Sequence, residues 1–263
     1  MRRRVAVMVD RYVRLHFRSG ARMVELFFWP TMELLLWGFF TLYLQREMTS
    51  AGARVMTALL AGMVFWDVLY RSQQSVSLAL MEELWSRNVL NLLISPLRSW
   101  EWVASVCLYG LLKTAVVGGF LVAAAWALYA FDAAALGLYY VPFLIELLIM
   151  GWAMGLMTAG LLLRWGYAAE ALVWGVPFLI QPFSAIFYPL SVYPAWLRPV
   201  CLALPSTHVM EGMRGVLETG AVSWQHLAAA SALNALYLAA GAWYASRMLE
   251  NGRRSGQLVR LTS

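Results

Sequence analysis

Polar and apolar positions fall into long blocks along this 263-residue chain. Residues 5–24 follow a helical period. Arg11, Arg14, Arg18 and Arg22 recur three or four apart on one face, and Val5, Val9, Tyr12, Val13 and Phe17 lie away from it. A basic amphipathic helix of this kind is expected over 1–24, lying in a membrane surface with its arginines among headgroups. Six apolar blocks follow, at 25–44, 55–70, 102–131, 136–163, 168–187 and 227–248. A helix needs about 20 mainly apolar residues to cross hydrocarbon, so the pattern predicts six transmembrane helices.

Two stretches depart from this pattern. Residues 81–98, MEELWSRNVLNLLISPLR, are charged and amphipathic between the second and third blocks. They predict a helix over 81–95, preceded by a polar helical extension, RSQQSVSLAL. Residues 188–215 carry Pro189, Pro194, Pro199 and Pro205, which forbid one straight helix. Tyr188, Tyr193, Trp196 and the run from Val200 to Leu204 are nevertheless too apolar for a free loop. Broken backbone at membrane depth is tolerated only where it is buried in protein or lines a wet cavity. A re-entrant helical hairpin dipping into the outer leaflet before the last span is therefore expected.

Composition agrees with a hydrocarbon solvent: 62% of residues are hydrophobic and 13% charged, against roughly 45–50% and 25% in soluble domains. The whole chain, 1–263, reads as one all-α integral membrane domain with no room for a soluble catalytic domain. The net charge of +6 comes from arginine, Lys113 being the single lysine. The arginines cluster at the ends of apolar runs, without the solvent-facing basic and aromatic stripe of a nucleic-acid binder. Fifteen basic residues fall on one side of the predicted spans and four on the other. The positive-inside bias then places both termini in the cytoplasm, in a multi-pass protein of the cell (inner) membrane. The first apolar run begins too late for a cleavable signal and lacks a small-residue cleavage site, so the first span is expected to act as the insertion signal.

At this point the chain resembles the membrane subunits of ABC-2-type transporters. The likeness covers nearly the whole length and rests on order: an amphipathic N-terminal helix, six spans, a charged helix between spans two and three, and a proline-rich hairpin before the last span. One segment runs from Glu82 to Arg98, with its LLISPLRSWEW ending. The other runs from Phe187-Tyr188-Pro189-Leu190-Ser191 through Pro194-Ala195-Trp196-Leu197 to Leu204-Pro205-Ser206-Thr207-His208 and Glu211-Gly212-Met213-Arg214. The resemblance implies a permease subunit of an ATP-driven exporter. Its partners would be two cytoplasmic ABC ATPases, a second permease copy in a dimer with its seam at spans one and five, and membrane lipids. The cargo would be amphipathic, lipid-linked or a glycan.

The chain is expected to hydrolyse no ATP. A phosphate loop needs glycines before Lys-Ser or Lys-Thr, and Leu111-Leu112-Lys113-Thr114 lacks them inside an apolar span. No cofactor is expected on this subunit, so ATP and Mg would sit on the partner. Cys107 and Cys201 have no metal or redox spacing, and His16, His208 and His226 are too scattered for a metal site.

Candidate site residues fall into four sets. Glu82, Glu83 and Arg87 offer polar contacts to an ATPase groove, with Leu84 and Trp85 packing beside them. Phe28, Trp29, Trp37, Tyr188 and Tyr193 are candidates for a translocation path, because flat rings cover amphipathic ligands. Glu33, Asp67, Lys113 and Glu146 lie in or near spans, where a charge costs about 2.5–3.5 kcal/mol and seeks a partner or water. They serve either as a polar path or as glue between helices, and Lys113 with Glu146 is one candidate pair. His208, Glu211 and Arg214 are the polar groups of the hairpin, Glu211 and Arg214 being spaced for an ordinary helix salt bridge or for a plug at the outer mouth. Gly151 and Gly155 permit close helix approach, within the chain or between subunits.

Two other functions compete. An ion-gradient-driven secondary transporter should have two similar halves with helices broken at matching positions, and the broken region here lies only near the end. An intramembrane enzyme needs a converging acid, base and nucleophile, and the acids here are scattered along the sequence.

Overall fold

The computed structural model describes residues 2–47, 50–86, 88, 91, 95, 97–129 and 138–255. Among them the chain is all-helical. Its α-helices are α1 (Arg2–Phe17), α2 (Gly20–Glu47), α3 (Ser50–Trp85), α4 (Ser99–Tyr129), α5 (Val141–Trp165), α6 (Glu170–Ile180), α7 (Arg198–Leu202), α8 (Pro205–Thr219) and α9 (Trp224–Ser255). Three stretches are long and apolar enough to cross a membrane: Gly20–Phe40, Ser99–Tyr129 and Leu138–Phe183. The third contains both α5 and α6.

The long helices alternate in direction, and individual contacts fix this. Arg22 meets Glu82 and Glu33 faces Asp67, so α2 and α3 are antiparallel. Ser72 Oγ donates to Leu148 O, and Ser77 meets Thr158, so α3 and α5 run parallel. Glu146 meets Asn234 and Gly160 packs on Tyr244, so α5 and α9 are parallel as well. Along α6 the contacts reverse: Tyr167 reaches Leu84 O, Gln74 reaches Val173 O, and Phe178 packs on Tyr70. The turn that reverses the chain is Gly166–Ala169, a 3-10 turn entered through Gly166 at φ 58°. That backbone region suits glycine because it has no Cβ.

Helix α5 is apolar on nearly every side and is buried accordingly between α3 and α9. Gly151 and Gly155 make its approach to α3 possible. A Cβ at Gly151 would stand 2.6 Å from Leu69 O, and one at Gly155 would stand 2.7 Å from Val76 Cβ. The glycine pattern is thus used inside the chain. Helix α4 buries one stripe, which includes Trp102, Val106, Gly110, Thr114, Val117 and Leu121, leaving Leu108, Leu112, Val116 and Trp126 outward. One core cluster gathers Leu80, Leu84, Trp102, Leu162 and Leu249 near α1, and a second gathers Phe65, Phe143, Leu147, Met210 and Met213 near α8.

Several expectations are revised. The polar extension RSQQSVSLAL continues α3 without a break and is a buried seam. Gln73 and Gln74 donate to Val173 O, and Ser77 shares a 2.5 Å hydrogen bond with Thr158. Met81–Trp85, the start of the helix expected over 81–95, forms the end of α3; most of 87–96, Arg87 included, lies outside the described residues. Helix α1 does not present all its arginines outward. Arg11 binds Glu83, and Tyr12 and His16 pack on Tyr109 of α4.

Candidate functional site: a charged aromatic cavity

A cavity of about 830 Å³ opens between α2, α3, α4 and α6. Its lining from Met63 to Trp85 spans 23 residues of α3, or roughly 33 Å at 1.5 Å per residue. Three helical stripes build it. Trp29, Glu33 and Trp37 are four residues apart on α2, so one face presents all three. Trp66, Asp67, Tyr70 and Arg71 come from α3, Trp174 and Phe178 from the facing side of α6, and Gln181 from the turn after it. Phe187 closes the far end by stacking on Trp37, with centroids 5.9 Å apart. Trp29 and Phe178, which line the cavity from α2 and α6, are more than half exposed, so the cavity wall reaches the outer surface at those two helices.

The charged groups in the lining are four carboxyls, Glu25, Glu33, Asp67 and Glu82, and three fixed cations, Arg22, Arg71 and Lys113. Arg71 Nε donates to Asp67 at 2.5 Å, and Arg22 lies 3.3 Å from Glu82. Lys113 acts electrostatically on Glu82 and Glu25. Glu33 lines the same cavity, four residues from Trp29 and from Trp37. At the rim by α1, burial and the nearby Lys113 and Arg22 push His16 down to about 4.

Five of the predicted residues therefore converge here, Trp29, Trp37, Glu33, Asp67 and Lys113, joined by Glu82 and Trp85 of the coupling set. Others lie elsewhere. Phe28 is on the outer face of α2. Lys113 and Glu146 do not pair: Glu146 is held between α5 and α9 by Asn234 Nδ2 at 2.7 Å and by Ser231 Oγ at 2.5 Å. Glu83 and Leu84 are buried against the chain's own helices, so among the described residues of that set Glu82 and Trp85 have exposed surface.

The residues 188–215 form a 3-10 turn, α7 and α8, clamped to the segment after α6. Tyr193 is buried there. Its hydroxyl donates to Pro182 O at 2.6 Å and accepts from the Ala185 amide, while Tyr188 packs against its ring. Glu211 accepts from the Leu190 amide at 2.9 Å and from Arg214 at 2.8 Å, and Arg214 also caps the carbonyls of Ala185 and Ile186. Ala185 sits at φ 53°, a strained conformation for a residue with a Cβ, and these bonds hold it. His208 Nε2 faces Leu202 O at 2.9 Å and its Nδ1 lies 3.3 Å from His226 Nδ1. Only Nε2–H can serve the carbonyl, so His226 donates to His208 when both rings are neutral. Burial and His208 both lower His226.

No protein-family model matches this sequence, and no curated protein does either. The helix bundle and its cavity therefore carry the functional reading.

Sequence reasoning missed the stripe formed by Trp29, Glu33 and Trp37, although the spacing was present. It also missed the buried seam of Ser72, Gln73, Gln74, Ser75 and Ser77. The signal there was a run of uncharged polar residues adjoining an apolar block, which in lipid finds its partners on other helices.

Proposed function

We propose that this chain is the membrane subunit of an ATP-driven exporter of the ABC-2 type, working as a dimer with two cytoplasmic ATPases. The observation that carries the reading is the cavity that opens laterally along α2 and α6. A second copy placed against those two helices would close it, and a cargo with one apolar and one polar part matches its mixed lining. The opposed directions of α2 and α3 and of α5 and α6, with the arginines of α1, Arg98 before α4 and Arg164 at the end of α5, support a multi-pass arrangement with that end in the cytoplasm. The exposed Trp85 and the part-exposed Glu82 at the end of α3 offer a contact for a soluble motor. Nucleotide binding there would bias two arrangements of the helices. An amphipathic, lipid-linked or glycan cargo would leave the cytoplasm or inner leaflet by this route.

A second reading, an ion-gradient-driven carrier, is favoured by one observation, the carboxyl pair Glu33–Asp67 inside the cavity. Reconstitution separates the two. The chain is purified from its native membrane in mild detergent, the co-purifying ATPase is identified, and transport is measured in proteoliposomes with and without ATP. ATP-dependent transport that needs the motor is expected. Full-rate transport by this chain alone, driven by an ion gradient, would overturn the exporter reading.

A further inference from the structure

We infer that Pro177 is a hinge in the cavity wall and that Gln73 and Gln74 of α3 are the latch that holds it. The hinge goes beyond the exporter reading; its use as a gate for cargo rests on that reading. The first observation is a freed carbonyl. Pro177 lies inside α6 and has no N–H, so the Val173 carbonyl four residues earlier loses its helical donor. Val173 and Pro177 are both buried, and a buried backbone carbonyl needs a partner. Two side chains of α3 supply it. Gln74 Nε2 donates to Val173 O at 2.9 Å, and Gln73 Nε2 donates to the same oxygen at 3.2 Å.

These bonds are exchangeable. Gln73 Nε2 also lies 3.0 Å from Ser77 Oγ and 3.4 Å from Thr158 Oγ1. Its two hydrogens therefore keep partners when Val173 O is released. Gln74 is itself part of the cavity lining, so a guest in the cavity meets the latch directly.

The second observation is that the two sides of Pro177 are held by different parts of the molecule. Before the proline the partners are on α3. The glutamines hold Val173, and the Tyr167 hydroxyl donates to Leu84 O at 2.8 Å. After the proline the partners are in the hairpin. Tyr193 donates to Pro182 O at 2.6 Å, Thr207 Oγ1 to Phe183 O at 3.0 Å, and Ser206 Oγ to Ser184 Oγ at 2.8 Å. Helices bend sharply where proline interrupts the hydrogen-bond ladder, and here that point is the boundary between the two sets of anchors. The cavity wall straddles it: Trp174 lines the space on one side, Phe178 and Gln181 on the other. In the latched arrangement Val173 O is bonded to α3. In the released one α6 bends at Pro177, its first half moves off α3, and the spacing of the wall's own rings changes.

The test places spin labels on the two sides of the joint, at Ala171→Cys on α6 and Val192→Cys in the hairpin, both exposed positions. The full chain is used in detergent, with Cys107→Ser and Cys201→Ala, and pulsed electron paramagnetic resonance reads the label-to-label distance distribution. One main distance is expected for the latched chain. Gln73→Leu with Gln74→Leu keeps side-chain bulk and removes both donors, and is expected to broaden the distribution or add a second distance. Gln74→Leu alone is the milder variant and is expected to broaden it less. Pro177→Ala restores an N–H four residues after Val173, so adding it to the two glutamine changes is expected to return a single distance. The melting midpoint follows the same logic: the glutamine changes are expected to lower it, and to lower it by less than half as much in a Pro177→Ala chain. An unchanged distribution in the glutamine variants, or broadening that survives Pro177→Ala, would overturn the inference. Neither readout uses nucleotide or a motor, so the hinge and the exporter proposal fail independently.

Discussion

Arg11 grips Glu83 with two parallel hydrogen bonds, Nη1 to Oε1 at 2.6 Å and Nη2 to Oε2 at 3.0 Å, tying α1 to the end of α3. The Glu83 side chain is 2% exposed and Arg11 is 34% exposed. Asn88 Nδ2 adds a third donor to Glu83 at 2.5 Å. Removing one partner of a buried pair costs about 3–5 kcal/mol, and the exposure of Arg11 reduces this. Arg11→Ala is expected to destabilise the chain by about 2 kcal/mol, and Arg11→Lys by less, because an ammonium keeps the charge and loses the fork. Thermal unfolding in detergent measures both. Trp85, exposed two residues further on, gives the contrast: under the proposed exporter reading, Trp85→Ala is expected to lower ATPase coupling with the melting midpoint unmoved.

Gly151 and Gly155 set the distance between α3 and α5. A Cβ at Gly151 would meet Leu69 O and Ser72 Cβ at 2.6 Å, both parts of the facing helix rather than loose side-chain ends. Gly151→Ala is expected to cost about 1–3 kcal/mol through overpacking, seen as a lower melting midpoint. Gly119→Ala is the control. Nothing lies within 4 Å of a Cβ there, so helix propensity is expected to stabilise it by up to about 1 kcal/mol.

The helical class and the apolar runs that become the three membrane-length stretches were legible in the sequence because hydrocarbon demands long apolar runs, and the prolines of 188–215 divide that segment into short elements. What escaped was pairing. Lys113 and Glu146 stand on consecutive long helices, α4 and α5, yet α5 turns its carboxylate toward α9. Periodicity assigns a residue to a face; it does not say which neighbour that face meets. Arg71 shows the same limit. The apolar pattern ends the second block at 70, yet Arg71 lies inside α3, one turn from Asp67. Tyr193 was chosen as a cavity ring, and its hydroxyl instead fixes the turn at Ala185, a role visible only once that turn exists.

Glu146 is expected to couple to Asn234 and not to Lys113. Asn234 Nδ2 donates both to the Glu146 backbone carbonyl at 2.8 Å and to its carboxylate at 2.7 Å. Asn234→Ala removes both bonds and leaves a buried acceptor short of donors, a loss of about 1–3 kcal/mol. In a double-mutant cycle with Glu146→Ala, the interaction energy is expected to exceed about 0.5 kcal/mol, and the same cycle with Lys113→Ala is expected to be additive within about 0.5 kcal/mol. Coupling between Lys113 and Glu146 would contradict the packing of α5 on α9.

His16 is expected to make the docking of α1 sensitive to acid. Its ring is buried against Tyr109, and burial, with Lys113 and Arg22 nearby, holds it down to about 4. An unfolded histidine titrates near about 6.5. Between those two values the unfolded chain binds the proton and the folded chain does not, so this contribution to stability is complete above about 6.5 and is lost as pH falls toward about 4. The measurement is the melting midpoint as a function of pH for the native chain and for His16→Gln, which carries no titrating group. The difference between the two is expected to narrow as pH falls through that window. A constant difference would place the His16 ring in water in the folded chain, and with it α1 off α4.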